Sequence, residues 1–213
     1  MPTLVASIPA LRLLKDGLEQ NKELYVLALG VDQRRERDGI EALGEHHGAA
    51  RGEAADAGPH RVRQARLRRV DRNAERLGLH GIRTACGDAA TLAARQPELL
   101  GQFDRILLDA PCSGLGTLAR HADARWRLDP AAIDGLVVLQ RQLLDGLWPL
   151  LKPGGRLVYA TCTVHPRENG ELVEAFCAER REAALQGRWQ SWPGDLDGGG
   201  DGFFAAVLER APA

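Results

Sequence analysis

Apolar residues recur along this chain in two rhythms. Short apolar runs alternate with stretches in which apolar positions fall three or four residues apart, which predicts strands alternating with helices. Leu24-Tyr-Val-Leu-Ala-Leu29, Ile82 to Cys86, Asp104-Arg-Ile-Leu-Leu-Asp109 and Arg156-Leu-Val-Tyr-Ala160 predict strands. The third is a short apolar run closed by an acid, as expected of a buried parallel strand. Helical spacing predicts helices over Leu4 to Leu18, Ala65 to Leu77 (ended by Gly78), Ala90 to Leu100 and Pro166 to Arg181. A further helix begins at Asp129-Pro130, an N-cap followed by proline at the first turn, and carries Ile133, Leu136, Val137, Leu143, Leu144, Leu147 and Trp148. Lys152-Pro-Gly-Gly155 breaks it. Gly187 to Trp192 and Phe203 to Leu208 predict two closing strands. The alternation argues for an α/β fold with a largely parallel sheet.

One stretch breaks the rhythm. Residues 33–64 hold only three large aliphatics, Ile40, Leu43 and Val62, among many Arg, Glu, Ala, Gly and His. Such a stretch forms neither a buried strand nor a strongly amphipathic helix. The expected organisation is therefore a divergent, poorly ordered segment over 1–64 and an orderly α/β unit over 65–213. Composition adds bounds. With 213 residues, 44% hydrophobic and 27% charged, the chain can bury a core, which excludes disorder throughout. No run of 18 apolar residues exists, which excludes a transmembrane helix, and the N-terminus lacks the basic and apolar regions of a signal peptide. A cytoplasmic location is expected. The net charge of −1 confines any nucleic-acid affinity to a local basic surface. Of 28 basic residues only Lys15, Lys22 and Lys152 are lysines. With the Ala and Gly load this marks a GC-rich coding sequence, so the arginine count alone carries no RNA signal.

In open parallel sheets, ligands bind outside the carboxyl ends of the strands. Three such ends carry reactive groups: Cys86-Gly-Asp88, Leu108-Asp109-Ala-Pro-Cys112-Ser-Gly-Leu-Gly116, and Tyr159-Ala-Thr-Cys162-Thr. Asp88, Asp109, Cys112 and Cys162 are expected to line one cleft, and two thiols beside two acids suggest covalent thiol chemistry next to a polar ligand. Each has a plainer reading. A cysteine near a strand end is usually a small core hydrophobe, and Gly-Asp or Asp-Ala-Pro pairs often only cap helices. Cys177, four residues after Val173 on an apolar face, reads as core, and Cys86 as buried within its strand. No cysteines form a CxxC pair, which disfavours a zinc site, and no metal is expected. His46, His47, His60 and His80 read as surface residues and His165, before Pro166, as a turn residue. The arginines from Arg61 to Arg76 read as a solvated helix.

At these residues the sequence resembles a known family. Residues 104–128, DRILLDAPCSGLGTLARHADARWRL, resemble motif IV of the RNA cytosine-C5 methyltransferases of the Sun/RsmB type, and 148–170, WPLLKPGGRLVYATCTVHPRENG, resemble the strand and motif VI of that family. Residues 198–210, GGGDGFFAAVLER, resemble their final strand. The likeness covers roughly 65–210, and the pairing of DAPCSG with ATCT about fifty residues apart is specific. It implies a class I S-adenosylmethionine-dependent methyltransferase sheet, Rossmann-like, acting on a cytosine of small-subunit rRNA. By resemblance Cys162 is the nucleophile that adds to C6, and Cys112 assists breakdown of the covalent adduct. Asp109 bridges the cofactor and the base edge, and Asp88 accepts a hydrogen bond from the cofactor's adenine. Arg120, His121, Arg125 and Arg127 hold phosphates, and Trp126 stacks on a base or packs.

The sequence also departs from the family. The Gly-rich cofactor turn of the form DxCAAPGGKT is missing, and the acid expected to bind the ribose falls at Arg61, which cannot accept the diol's hydrogen bonds. The sheet is therefore expected to be incomplete at its N-terminal side, without its central strand. A wrong-frame reading or deletion scar over about 30–62 accounts for both the gap and the odd composition. Two rival readings stand beside the enzyme: a non-catalytic RNA-binding remnant, and a Cys/His hydrolase using Cys112 or Cys162 with His121 or His165.

Overall fold

The computed structural model describes residues 2–5, 23–29, 68, 70–76, 82–120, 126, 130–195 and 200–212, with backbone alone for 2–5, 23–29, 82–86 and 130. Seven strands form one sheet: β1 (Pro2–Val5), β2 (Glu23–Leu29), β3 (Ile82–Gly87), β4 (Phe103–Asp109), β5 (Leu151–Thr161), β6 (Ala183–Gln190) and β7 (Phe204–Arg210). Their order is β3-β2-β1-β4-β5-β7-β6. The first five run parallel, β7 lies antiparallel to β5, and β6 closes the edge antiparallel to β7. This is the largely parallel sheet that the alternating pattern predicts.

The helices are α1 (70–76), α2 (Leu92–Arg95), α3 (Pro130–Leu147) and α4 (Gly170–Ala178). In α1, Val70 and Ala74 are buried while Arg72, Glu75 and Arg76 face solvent; of the seven arginines expected on a solvated helix, Arg68, Arg72 and Arg76 are exposed and the other four lie outside the described residues. The core lies between the sheet and the pair α3 and α4. Ile106, Leu157 and Leu208 stand side by side across β4, β5 and β7, and Leu108, Tyr159 and Ala206 form the next row. Against these rows pack Leu143, Leu144 and Leu147 of α3 with Leu172, Val173 and Phe176 of α4. The helical rhythm of α3 thus becomes the roof of the core. Gly146 allows close approach, since a Cβ there would lie 2.6 Å from Ala90 Cα.

Four expectations need correction. Leu4 and Val5 belong to a strand, not to the start of a helix. Thr3, Leu4 and Val5 pair on both sides, with β2 and with β4, and pairing in the sheet overrides the local helical spacing. The centre of the sheet is thereby filled, and what the N-terminal side lacks is the Gly-rich turn, since the sequence after β1, Ala6-Ser-Ile-Pro-Ala10, contains no glycine. The helix expected over Ala90 to Leu100 is split into a 3-10 turn, the single turn α2 and another 3-10 turn from Pro97. Proline has no N–H to continue the helix, and the residue before it, Gln96, is driven to φ −133° and ψ 72°. Lastly, Lys152–Gly155 lies inside β5 as a bulge: Phe103 pairs with Leu151, but Arg105 already pairs with Arg156, and Gly154 takes φ +75°.

Candidate active site

β4 and β5 are adjacent and parallel, so the segments leaving their carboxyl ends emerge side by side. Pairing runs one residue past β4, where Ala110 N–H donates to the Ala160 carbonyl at 2.8 Å. Pro111 then turns the chain across the mouth of the sheet. Gly114, at φ +69°, turns it again into a 3-10 turn over Leu115–Thr117. The returning loop locks onto the end of β5: Gly116 N–H donates to the Cys162 carbonyl at 3.0 Å, and Gly202 N–H donates to the Gly116 carbonyl at 2.8 Å. Only glycine fits at 116, because a Cβ there would sit 2.8 Å from the Cys162 carbonyl oxygen and collide with the backbone of Gly202.

This backbone cinch brings the two expected thiols together. Cys112 Sγ and Cys162 Sγ lie 3.4 Å apart, both half-buried. They divide the charge unequally. The hydrogen bond with Cys162, then burial, pushes the Cys112 thiol well above its ordinary range. The same hydrogen bond lowers the Cys162 thiol, against the opposing effects of burial and the nearby Asp109 carboxylate. The arrangement favours Cys112 as the S–H donor and eases ionisation of Cys162, which makes Cys162 the more readily activated sulfur nucleophile.

Beneath the sulfurs lies a buried polar network that sequence reasoning missed. Glu168, fully buried, accepts from Ser113 N–H at 2.9 Å, Ser113 Oγ at 2.5 Å, Gln140 Nε2 at 2.9 Å and Thr163 Oγ1 at 3.2 Å. Ser113 Oγ and Thr163 Oγ1 are also 2.8 Å apart. Gln140 further donates to the Pro111 carbonyl at 2.8 Å. Asn169 donates to the Thr163 carbonyl at 2.9 Å and accepts from Thr161 Oγ1 at 2.7 Å, while Tyr159 Oη donates to the Glu168 carbonyl at 2.7 Å. One signal points here. Gln140 stands four residues after Leu136 on the apolar stripe of α3, and a polar residue on such a stripe needs a buried partner.

The remaining expected site residues fall into three groups. Asp109 ends β4, close enough to act on the Cys162 thiol. Asp88 stands just past β3 on the same edge, three strand positions away, and its Oδ1 accepts from Ala90 N–H at 3.0 Å, so it caps the turn behind it. Arg120 pairs with Asp201, with its Nε 3.2 Å from Oδ1, and its side chain stays 65% exposed. Trp126 is 85% exposed and packs into no core. His121, Arg125, Arg127 and Arg61 lie outside the described residues, as do His46, His47, His60, His80 and the side chain of Cys86. His165 is a turn residue before Pro166, as expected. Its N–H donates to Thr163 Oγ1 at 3.2 Å, and its Nδ1 is buried without a hydrogen-bond partner. It forms no hydrogen bond to either thiol, so nothing in the geometry supports a Cys/His pair through His165. Cys177 is half-buried against the core, and burial raises its thiol.

A surface groove of about 390 Å³ lies between α3 and α4, lined by Val137, Val138, Arg141, Arg167, Glu171 and Leu172 among others, and shares no residue with the thiol site. Among the described residues, no helix is long and apolar enough to cross a membrane, and no group of three or more His, Cys, Asp or Glu has a metal-binding arrangement.

Comparison with known proteins places this geometry. The sequence pattern of the family described as "16S rRNA methyltransferase RsmB/F" matches residues 54–209. Ribosomal RNA small subunit methyltransferase B of Vibrio vulnificus (strain YJ016) is 45% identical over 156 residues, covering 69% of this chain and 35% of that protein. The protein of the same name from Pasteurella multocida (strain Pm70) is 41% identical over 162 residues, covering 70% and 36%. The chain thus spans about a third of the length of these relatives. Among solved structures, NSun6 from Pyrococcus horikoshii with SFG superposes with a TM-score of 0.69 at 22% identity, over 100% of this chain and 48% of that one. A methyltransferase homolog protein from Pyrococcus horikoshii gives 0.63 at 20%, over 99% and 61%. At such identities the structures speak for the fold, which is that of methyltransferases. The family pattern spans most of the chain and contains both thiol loops, and the chain belongs to the RsmB/F family of 16S rRNA methyltransferases.

Proposed function

We propose that the chain carries the catalytic part of a 16S rRNA cytosine-C5 methyltransferase, with S-adenosylmethionine as methyl donor and residues 65–213 as the unit that holds the chemistry. The observation that carries this reading is the thiol pair, 3.4 Å apart and polarised toward a Cys162 thiolate. Cytosine C5 is too weak a nucleophile to accept a methyl group from a sulfonium unaided. Addition of the Cys162 thiolate to C6 breaks the ring's aromaticity and makes C5 enamine-like. Asp109, at the tip of the neighbouring strand, stabilises a proton at N3 as the adduct forms. After methyl transfer, loss of the C5 proton to a base expels the Cys162 sulfur. Cys112, held protonated, donates to that sulfur as it leaves as a thiolate.

The described residues suit S-adenosylmethionine along the carboxyl edge. Asp88 and Asp109 are separated by three strand spacings, about 14 Å, on the side of the sheet where such ligands bind. In this reading Asp88 takes the adenine and Asp109 the amino-acid end near the base. The bound cofactor supplies the methyl group on a positively charged sulfur. The target base must leave its stack to reach the thiols. Arg120, His121 and Arg125 are assigned to phosphates and Trp126, open to solvent, to base stacking. A cytoplasmic location fits an rRNA substrate.

The test separates the two sulfurs. Cys112→Ala is expected to accumulate a covalent RNA adduct, resolved on a denaturing gel, and Cys162→Ala to form none. The opposite pattern would exchange their roles. A second reading, a non-catalytic RNA-binding remnant, is favoured by the missing Gly-rich turn after β1. It wins if calorimetry finds no S-adenosylmethionine binding at millimolar concentration while RNA still binds.

A further inference from the structure

We propose that Glu168 is a positioning residue for both thiols, a single buried carboxylate that clamps the two cysteine loops to each other and so sets the sulfur separation. The inference deepens the functional reading above and rests on it only for the use made of the sulfurs. Each oxygen of Glu168 has separate work. Oε1 accepts from the Ser113 backbone N–H and from Gln140, and Oε2 accepts from the Ser113 and Thr163 hydroxyls. Ser113 comes directly after Cys112, and Thr163 directly after Cys162. The carboxylate therefore reaches the residue next to each sulfur, across 55 and 5 positions of sequence.

The loops also touch directly, Ser113 Oγ with Thr163 Oγ1 at 2.8 Å and sulfur with sulfur, and Glu168 holds both hydroxyls of the first contact from one side. The Gly116 bond to the Cys162 carbonyl fixes the backbone farther along the first loop. Gln140 braces the start of that loop at Pro111 and holds Oε1 in place. Tyr159 and the Asn169 contacts fix the backbone that carries Glu168. A buried carboxylate without these donors would be costly, and four donors make it stable there.

Two substitutions divide geometry from charge. Glu168→Asp keeps the charge but is one methylene shorter, so it cannot reach Ser113 and Thr163 together. Glu168→Gln keeps the length and loses the charge, and the two hydroxyls can rotate to accept from its amide. The first readout is the rate at which diamide, an azo oxidant that takes two electrons and two protons from a dithiol, joins Cys112 to Cys162 in the full chain, monitored by peptide mass spectrometry. Glu168→Asp is expected to slow this step on the order of tenfold or more, as loosened alignment does, and Glu168→Gln to stay near the wild-type rate at matched thiolate fraction. The second readout is the pH dependence of Cys162 alkylation by iodoacetamide. It should move to higher pH in Glu168→Asp, because a loosened pair loses the S–H donor that lowers Cys162, and not in Glu168→Gln. An unchanged cross-linking rate or an unmoved alkylation profile in Glu168→Asp overturns the proposal. Should Glu168→Asp fail to fold by circular dichroism, Thr163→Val carries the geometric arm, and cross-linking at the wild-type rate there overturns it equally. Neither readout uses RNA or cofactor, so the clamp and the methyltransferase reading can fail independently.

Discussion

A single hydrogen decides which sulfur attacks. Between Cys112 and Cys162 it favours Cys112, because that thiol is pushed up and its partner is pulled down. Iodoacetamide should therefore modify Cys162 at lower pH than Cys112, and methyl transfer should rise with pH as Cys162 loses its proton. Removing the donor in Cys112→Ala takes away the largest influence lowering Cys162, so its alkylation profile should shift to higher pH, as site-resolved mass spectrometry would record. A shift to lower pH would mean that burial, not the S–H donor, governs Cys162. The sulfurs are legible in the sequence because Pro-Cys and Thr-Cys-Thr stand directly after apolar, acid- or tyrosine-bearing strands. Glu168 is not, because its partners lie 28 and 55 residues away, and only folding makes them neighbours.

Elements are legible where one influence dominates and illegible where two compete. The apolar stripe of α3 and the runs of β4 and β5 announce themselves, since burial and local preference agree there. Leu4 and Val5 mislead because helical spacing and strand pairing give opposite instructions, and pairing on both sides prevails. The stop at Pro97 is readable from its missing N–H, although the apolar spacing on either side conceals it. The core that these elements build should respond as a packed interior does. Leu144, fully buried on α3, should cost about 2–5 kcal/mol on truncation to alanine, measured by denaturant unfolding. Gly116→Ala should be harsher on function than on fold. Overpacking costs about 1–3 kcal/mol in general, but here it pushes on the Cys162 carbonyl itself, so methyl transfer should collapse in a chain that still unfolds cooperatively.

For the molecule as a whole, the seven-strand order sets Asp88 and the thiol pair at separate stations along one edge, with the two thiols in the segments that leave β4 and β5. The cofactor side is thinner. Lacking a Gly-rich turn after β1, the chain should bind S-adenosylmethionine more weakly than a relative that has one, a difference calorimetry would measure. Equal affinity would show that backbone amides elsewhere replace the turn. The parent nucleotide sequence tests the account of residues 30–62. A neighbouring frame upstream of residue 62 that encodes a turn of the AAPGGK type is expected, and its absence from every such frame would refute a frame change. The missing turn is legible from the sequence. The filled centre is not, since four residues at Pro2–Val5 carry too little pattern to announce a strand.

The hydrogen bond from Gly202 to Gly116 ties a late stretch of the chain to a loop made far earlier in it. Synthesis runs from the N-terminus, so both sulfurs leave the ribosome well before that tie can form. A nascent chain halted short of residue 200 would hold both sulfurs and Glu168 and still lack the Gly202 tie and all of β7, so stalled fragments should be silent toward RNA rather than indiscriminately reactive.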